Sequence, residues 1–161
     1  MSDSSTAAPV APATQFPKSG YVAVEGLVFF PRVLDKIRLQ AAGRLPADYN
    51  LGTGLDARLC RWLRVDYAAL AEQARTQPDD AMVLAWAYAH GRRPDPEEME
   101  YFNAFMMKRG WRDSATEKIE DSKRRRGVAH RADLQTTFDL QDYDEGRRLG
   151  DHRESSSHSA S

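Results

Sequence analysis

The sequence lacks most of the features that would place the protein in a specialised class. It has 161 residues and one cysteine, which excludes an internal disulfide and a cysteine-rich zinc site. Lysine and arginine number 23 against 24 aspartates and glutamates, so no bulk charge attracts nucleic acid or anionic lipid. The longest apolar stretch, residues 81–89, is far short of the roughly 20 residues that a membrane span needs. These absences favour a globular protein of the reducing cytoplasm.

Polar segments at both ends frame the part of the chain that is expected to fold. Residues 1–19 are mostly Ser, Thr, Ala and Pro, and residues 150–161 are again polar. Neither segment can bury enough apolar surface to offset its ordering entropy, so both are predicted to be disordered tails. The N-terminal segment also has neither the basic start nor the apolar run of a secretory signal. The prediction is one domain over residues 20–149.

Helical periodicity and cap residues account for most of this domain. Apolar residues recur every three or four positions from Leu27 to Ala41, and Pro31 fits the first turn of such a helix. A second helix is predicted to follow a capping box formed by Thr53 and Asp56. Four more short helices are predicted from helix-capping residues and from a proline in a first turn. Their predicted starts are Asp66, Asp79 or Asp80, Pro96, and the pair Ser114 and Glu117.

Two further patterns complete the predicted architecture. The fourth helix, within residues 81–90, has almost no polar face, which is typical of the buried centre of a bundle. Two stretches, Tyr21–Val24 and Thr136–Leu140, favour β structure and are interpreted as extended arms or a small strand pair. The predicted fold is all-α: a compact bundle of about six short helices, with an extended C-terminal segment docking on the body.

Motifs of enzyme catalysis are scarce. The sequence has no nucleophile elbow, no phosphate-binding P-loop and no glycine-rich dinucleotide fingerprint. Cys60 is expected to be a small buried hydrophobe, and His90 and His130 lack the neighbours of a zinc site. No metal or cofactor is predicted, and whether the protein is an enzyme stays open.

Polar side chains on the first helix, on the loop after it and on the fifth helix form a candidate pocket. The charged residues of the first helix lie off its apolar stripe, and an asparagine on the fifth helix has aromatic neighbours among which it needs hydrogen-bond partners. Helical ion pairs worth about 0.2–0.5 kcal/mol each explain the charges equally simply, as a solvated face. The candidate pocket residues are Arg32, Asp35, Lys36, Tyr49, Asn50, Asp56 and Asn103.

Basic residues at helical spacing form a second candidate surface. Two interpretations compete: the run contacts phosphates, or the acidic stretch over residues 133–145 folds back over it. The run contains no aromatic residue, which favours self-pairing or solvation over nucleic-acid binding. The candidate basic surface is Arg58, Arg61, Arg64, Lys123, Arg124, Arg125 and Arg126.

Four separated strings of the chain resemble a known family. They are FPRVLDKIR at 30–38, YNLGTGLD at 49–56, FNAFMMKRG at 102–110 and TTFDLQDYDEGR at 136–147. Together they are similar to a bacterial family, domain-of-unknown-function family 5069, over about residues 16–149. The resemblance implies a small cytosolic bacterial protein and implies no activity. Many members have a Cys-Pro pair where this chain has Thr53-Gly54, which disfavours a thiol mechanism in the loop.

Three classes of function stay open. The leading hypothesis is a ligand-binding or protein-interaction module for a small polar or anionic molecule or a protein partner, because catalytic motifs are missing. An enzyme would use the same pocket, with Asp35 or Asp56 as the acid–base group and Tyr49 as a donor. Lys36 or Arg32 would then clamp an anion. A nucleic-acid accessory protein would use the basic surface, and no membrane partner is expected.

Overall fold

Seven helices and a two-stranded hairpin make up the part of the chain that the computed structural model describes, residue 10 and residues 13–149. The all-α prediction is confirmed. The rest of the two predicted tails lies outside the described residues. The strands are β1 (Ala23–Val24) and β2 (Leu27–Val28), and the helices are α1 (Phe30–Ala41), α2 (Leu55–Leu63), α3 (Tyr67–Thr76), α4 (Asp80–His90), α5 (Pro96–Lys108), α6 (Thr116–Arg125) and α7 (Thr137–Asp144).

The chain enters α1 through a tight antiparallel hairpin. Glu25 and Gly26, which join the strands, both have positive φ angles, 46° and 83°, as the central residues of a type I′ turn do. Leu27 is fully buried in β2 and not on the first helix, where its periodicity placed it. The helix begins directly after Phe29, which adopts a left-handed φ of 70°, and Pro31 lies in its first turn as predicted.

The described end of the predicted N-terminal tail lies against the helical body. The backbone N–H of Gln15 donates to the carbonyl of Arg44 at 2.8 Å, and the Arg44 side chain donates to the Ala13 carbonyl at 3.2 Å. Further along, Pro17 and Ser19 are buried. Contacts of this segment with the body therefore begin before residue 20.

The C-terminal segment docks on the body as a helix, so the prediction of an extended arm or strand over Thr136–Leu140 is wrong. The Thr136 hydroxyl accepts the backbone N–H of Asp139 at 3.1 Å, and the Asp139 carboxylate accepts that of Thr136 at 3.0 Å. This capping box starts α7 and outweighs the local β preference. The ring of Phe138 then stacks on Phe29 with centroids 5.4 Å apart, which seats the helix in the core.

The predicted position of the fourth helix is also wrong, because α4 lies at the surface. Its buried residues are Val83, Leu84 and Ala87, whereas Met82 is 56% exposed. The apolar pattern predicted full burial, but most of the residues that face outward are alanines. Their side chains are small, so their exposure to water costs little free energy. Among the described residues, no helix combines the length and apolar character that crossing a bilayer requires.

The helix starts agree with the predicted caps only in part. The cap of α3 is confirmed, since the Asp66 carboxylate accepts the N–H of Ala69 at 3.1 Å. The capping boxes predicted for α2 and α6 are wrong: α2 follows Gly54 and α6 follows Ala115, and no side chain caps either helix. Both helices therefore begin with backbone N–H groups that no capping side chain covers.

Candidate functional site

Buried charges of the candidate pocket gather first around Glu145, directly after α7. Arg32 of α1 donates to both carboxylate oxygens, at 2.5 and 3.1 Å, and the Tyr49 hydroxyl donates to the same group at 2.6 Å. Arg147 donates to it as well. Arg32 is 2% exposed and Glu145 is 9% exposed, and burial lowers the pKa of Arg32 and raises the pKa of Tyr49. Because each charge already has its partner, the cluster has a structural role: it holds α1 to the segment that directly follows α7.

Lys36 and Asp56 form a second closed cluster, which joins α1 to the start of α2. The Lys36 ammonium donates to the two Asp56 oxygens at 2.6 and 2.7 Å and to the Asn50 carbonyl at 2.9 Å. Asp56 also accepts the backbone N–H of Gly52 at 3.1 Å. Burial lowers the pKa of Lys36, and Asp56 opposes that effect. Three acceptors match the three ammonium protons, and the Asp56 carboxylate favours this protonated form. An ammonium has no lone pair with which to act as a base or nucleophile.

Two of the predicted pocket residues lie elsewhere. Asp35 accepts the backbone N–H and the ammonium of Lys18, both at 3.0 Å. Asn103 finds the partners that its aromatic surroundings require: it donates to the Gly26 carbonyl at 2.6 Å and accepts the N–H of Val28 at 3.2 Å. Its role is to hold the hairpin against α5. The seven predicted residues thus divide among four places.

A cleft of about 500 Å³ opens beside the Lys36–Asp56 cluster, with walls from α2, α6 and α7. We call it the basic cleft, because five basic side chains and two acidic ones line it. Its volume falls within the range of about 300–1,000 Å³ that is usual for small-molecule sites. The ionisable lining residues are Lys36, Asp56, Arg58, Arg109, Lys118, Arg126 and Asp144.

Two of the five basic side chains in the cleft are not neutralised. Arg58 and Lys118 are exposed and form no ion pair with any residue between 13 and 149. The other three each pair with a carboxylate, which leaves those carboxylates little power to repel an anion. The three pairs are Lys36–Asp56 at 2.6 Å, Arg109–Asp113 at 3.1 Å and Arg126–Asp144 at 2.6 Å.

Backbone geometry adds to the positive potential of the cleft. Gly54, Ala115 and Thr137 line it, and they mark the beginnings of α2, α6 and α7. The first turn of a helix carries about half a positive charge, concentrated on N–H groups that point away from the helix. Three helix starts line the cleft, and those of α2 and α6 have no capping side chain, so the backbone favours an anion there.

An aromatic ring holds two guanidinium groups at the rim of the cleft. The guanidinium carbons of Arg58 and Arg109 lie 5.2 and 5.7 Å from the ring centroid of Phe105 on α5. Such contacts are worth about 0.5–1 kcal/mol each at exposed sites. They reduce the freedom of two long side chains, so less entropy is lost when a ligand contacts them.

Gln141, a residue that lines the cleft, carries a buried polar atom without a partner among the described residues. The Oε1 atom of Gln141 in α7 is buried and accepts no hydrogen bond from the part of the chain that the structure describes. A buried acceptor without a donor costs about 1–3 kcal/mol. Buried polar atoms are normally satisfied, so this one calls for an explanation.

The predicted basic surface does not form one patch. Arg58 lines the cleft, and Arg61 and Arg64 are exposed on α2 or at its end. Along α6 the basic residues have local partners, and the acidic stretch does fold back, through Arg126 and Asp144. The other α6 contacts are Lys123 with Glu120, Arg124 with Asp121 and Arg125 with Ser122.

Sequence reasoning missed the residues that α5, α6 and α7 bring to these sites. Glu145 is part of the predicted acidic stretch over residues 133–145, and Arg109 is not among the predicted site residues. Lys118 and Gln141 were not considered. The available signal was the spacing of Thr136 and Asp139, which is that of a capping box and predicts a helix where an arm was expected.

The comparisons with known proteins agree with the resemblance seen in the sequence. The family model described as Domain of unknown function (DUF5069) matches residues 14–147. The chain therefore belongs to this family, and the predicted membership is confirmed. No curated protein matches the chain.

Proposed function

We propose that the protein is a binding module for a small phosphate-bearing ligand, seated in the basic cleft. The observation that carries this proposal is the presence of two unpaired cations, Arg58 and Lys118, in a cleft at whose wall three helices begin. A phosphate monoester carries close to two negative charges at neutral pH, which complements this pair. Guanidinium groups and helix N-termini are the groups that proteins use most readily for phosphate.

The closed ion clusters favour binding over acid–base catalysis. An enzyme of the predicted kind needs an amine or carboxylate with a free face toward the cleft. Lys36 and Asp56 reach the cleft wall, but they are saturated by one another and by the Asn50 carbonyl. Lys36 and Asp56 therefore act on a ligand only indirectly, because they hold in place the loop that leads into α2.

Titration calorimetry with inorganic phosphate and propyl phosphate at low ionic strength tests the proposal. Removing one charge-assisted contact costs about 1.5–3 kcal/mol, so Arg58→Gln and Lys118→Gln should each weaken binding by roughly 10- to 100-fold. The matched control is Arg61→Gln, an exposed arginine one turn further along α2 that does not line the cleft. Its affinity should equal that of the wild type.

A thermal-shift measurement gives an independent readout. A ligand present at a hundred times its dissociation constant stabilises the folded state by about 2.7 kcal/mol, which raises the melting temperature by several degrees. The proposal fails if neither phosphate compound binds or shifts the melting temperature. It also fails if Arg58→Gln and Lys118→Gln bind phosphate as the Arg61→Gln control does. A protein partner then becomes the favoured hypothesis.

A further inference from the structure

We propose that the ligand of the basic cleft also donates a hydrogen bond to Gln141, which makes it a phosphate ester of a hydroxyl-bearing compound such as a polyol or sugar. This inference rests on the proposed function and specifies the chemical class of the ligand. Its starting point is Gln141, whose side chain lines the cleft and whose Oε1 atom is buried without a donor among the described residues. The ligand reaches this oxygen when the side-chain amide turns toward the cleft.

The position of Gln141 relates it to the predicted phosphate site. Gln141 and Thr137, the first residue of α7, both line the cleft and are four residues apart, so they lie on one face of the helix. A rise of 1.5 Å per residue places Gln141 about 6 Å along the axis from the helix start. A phosphate held at the helix starts would carry a chain of about three carbons past Gln141.

The charge of the cleft selects the type of donor. An ammonium group would also satisfy an orphan acceptor, but Arg58 and Lys118 form no ion pair with a described residue and repel a cation in the cleft. A neutral hydroxyl donates without that penalty. A ligand without any donor would leave the Gln141 oxygen buried and unpaired, so the site should discriminate strongly against it.

Matched pairs of phosphate esters test this inference by calorimetry. Glycerol 3-phosphate is compared with propyl phosphate, and glucose 6-phosphate with cyclohexylmethyl phosphate; each pair shares the phosphate and the approximate shape but differs in hydroxyl groups. We expect the hydroxylated member of at least one pair to bind about tenfold more tightly, roughly the effect of satisfying one buried acceptor. Gln141→Met, which keeps the side-chain length and removes the acceptor, should abolish that preference and leave binding of the alkyl phosphates unchanged.

Two controls keep the outcomes distinct. Gln135→Met changes an exposed glutamine that does not line the cleft and should keep the preference. Gln141→Ala also removes the acceptor but adds no methionine side chain, so it shows whether the packing of methionine caused the effect. The melting temperature of each variant shows whether it is folded. If alkyl and hydroxylated esters bind the wild type equally in both pairs, or if Gln141→Met and Gln141→Ala keep the preference, the inference is wrong. The proposed function then still stands on Arg58-dependent binding of alkyl phosphates. If no phosphate compound binds, the proposed function fails, and this inference fails with it.

Discussion

Replacing Glu145 with alanine removes the carboxylate that neutralises the buried guanidinium of Arg32. Arg32 then keeps the Lys18 carbonyl as an acceptor, at 2.8 Å, and the more distant charge of Asp142, but it loses both hydrogen bonds to Glu145. The Tyr49 hydroxyl loses its acceptor in the same step. Breaking a buried ion pair from one side costs about 3–5 kcal/mol, because the remaining charge stays out of water without compensation. We expect Glu145→Ala to lower the free energy of unfolding by that amount.

Urea denaturation followed by tryptophan fluorescence measures this effect. The free energy in water follows from linear extrapolation, and an unchanged slope shows that the native state is still compact. In thermal unfolding the same loss should lower the melting temperature by roughly 10 °C or more. The change should depend little on salt, since screening acts weakly on buried charges.

A matched control and a compensating variant show whether the buried charge is the cause. Glu100 is exposed on α5 and forms no ion pair with a described residue, so Glu100→Ala should change the free energy of unfolding by less than about 0.5 kcal/mol. Combining Arg32→Met with Glu145→Leu removes both charges and should recover most of the loss. A Glu145→Ala protein within about 1 kcal/mol of the wild type would refute the assignment of Arg32 and Glu145 as a desolvated pair.

Three further predictions address reactivity, backbone packing and acid stability. Burial raises the pKa of the Cys60 thiol to about 11. The native protein should therefore react with a thiol reagent at pH 8 roughly a hundredfold more slowly than the urea-unfolded protein, and equal rates would contradict the burial. In Gly91→Ala the new Cβ would clash with the Leu63 carbonyl oxygen, so urea denaturation should show a loss of roughly 3 kcal/mol in the free energy of unfolding; a neutral result would rule out that close approach. The Asp95 backbone N–H and the Arg92 side chain lower the pKa of Glu98. Its contribution to stability is then present above the ordinary carboxyl pKa and disappears as the pH falls through the lowered value, so Glu98→Gln should flatten the decline in stability between about pH 5 and pH 3. Parallel pH profiles for the two proteins would exclude this role.

The sequence predicted correctly those helix starts that are set by neighbouring residues, such as a cap or a proline in the first turn. Pro31 in the first turn of α1 and the Asp66 cap of α3 are found where the sequence placed them. The prediction for α2 failed because a side chain has its partner in another helix. Asp56 resembles half of a capping box, but its carboxylate binds Lys36, and the start of α2 is left to a glycine. In α7 the competing signals were both local, and the capping box outweighed the β-branched residues.

The candidate site was less predictable than the fold for a physical reason. Arg32, Lys36 and the loop after α1 are close in the sequence, so their clustering could be anticipated. The basic cleft instead combines Arg58, Lys118 and Gln141, which no spacing rule connects. Their proximity exists only once α2, α6 and α7 have taken their places around the cleft. Whether a basic residue remains unpaired depends on the same packing, as the contrast between Arg58 and Arg126 shows.

The links between the two ends of the described chain also bear on how the protein is made in the cell. Arg147 binds the carbonyl of Pro17 and Asp142 binds the hydroxyl of Ser19, across separations of 130 and 123 residues. At about 5–20 residues per second, a ribosome needs roughly 6–23 s to extend the chain by the 113 residues from Arg32 to Glu145. During that time Arg32 lacks its counter-ion and the site of Phe138 in the core is empty. A nascent chain that stops before α7 therefore leaves the Phe29 side of its core uncovered.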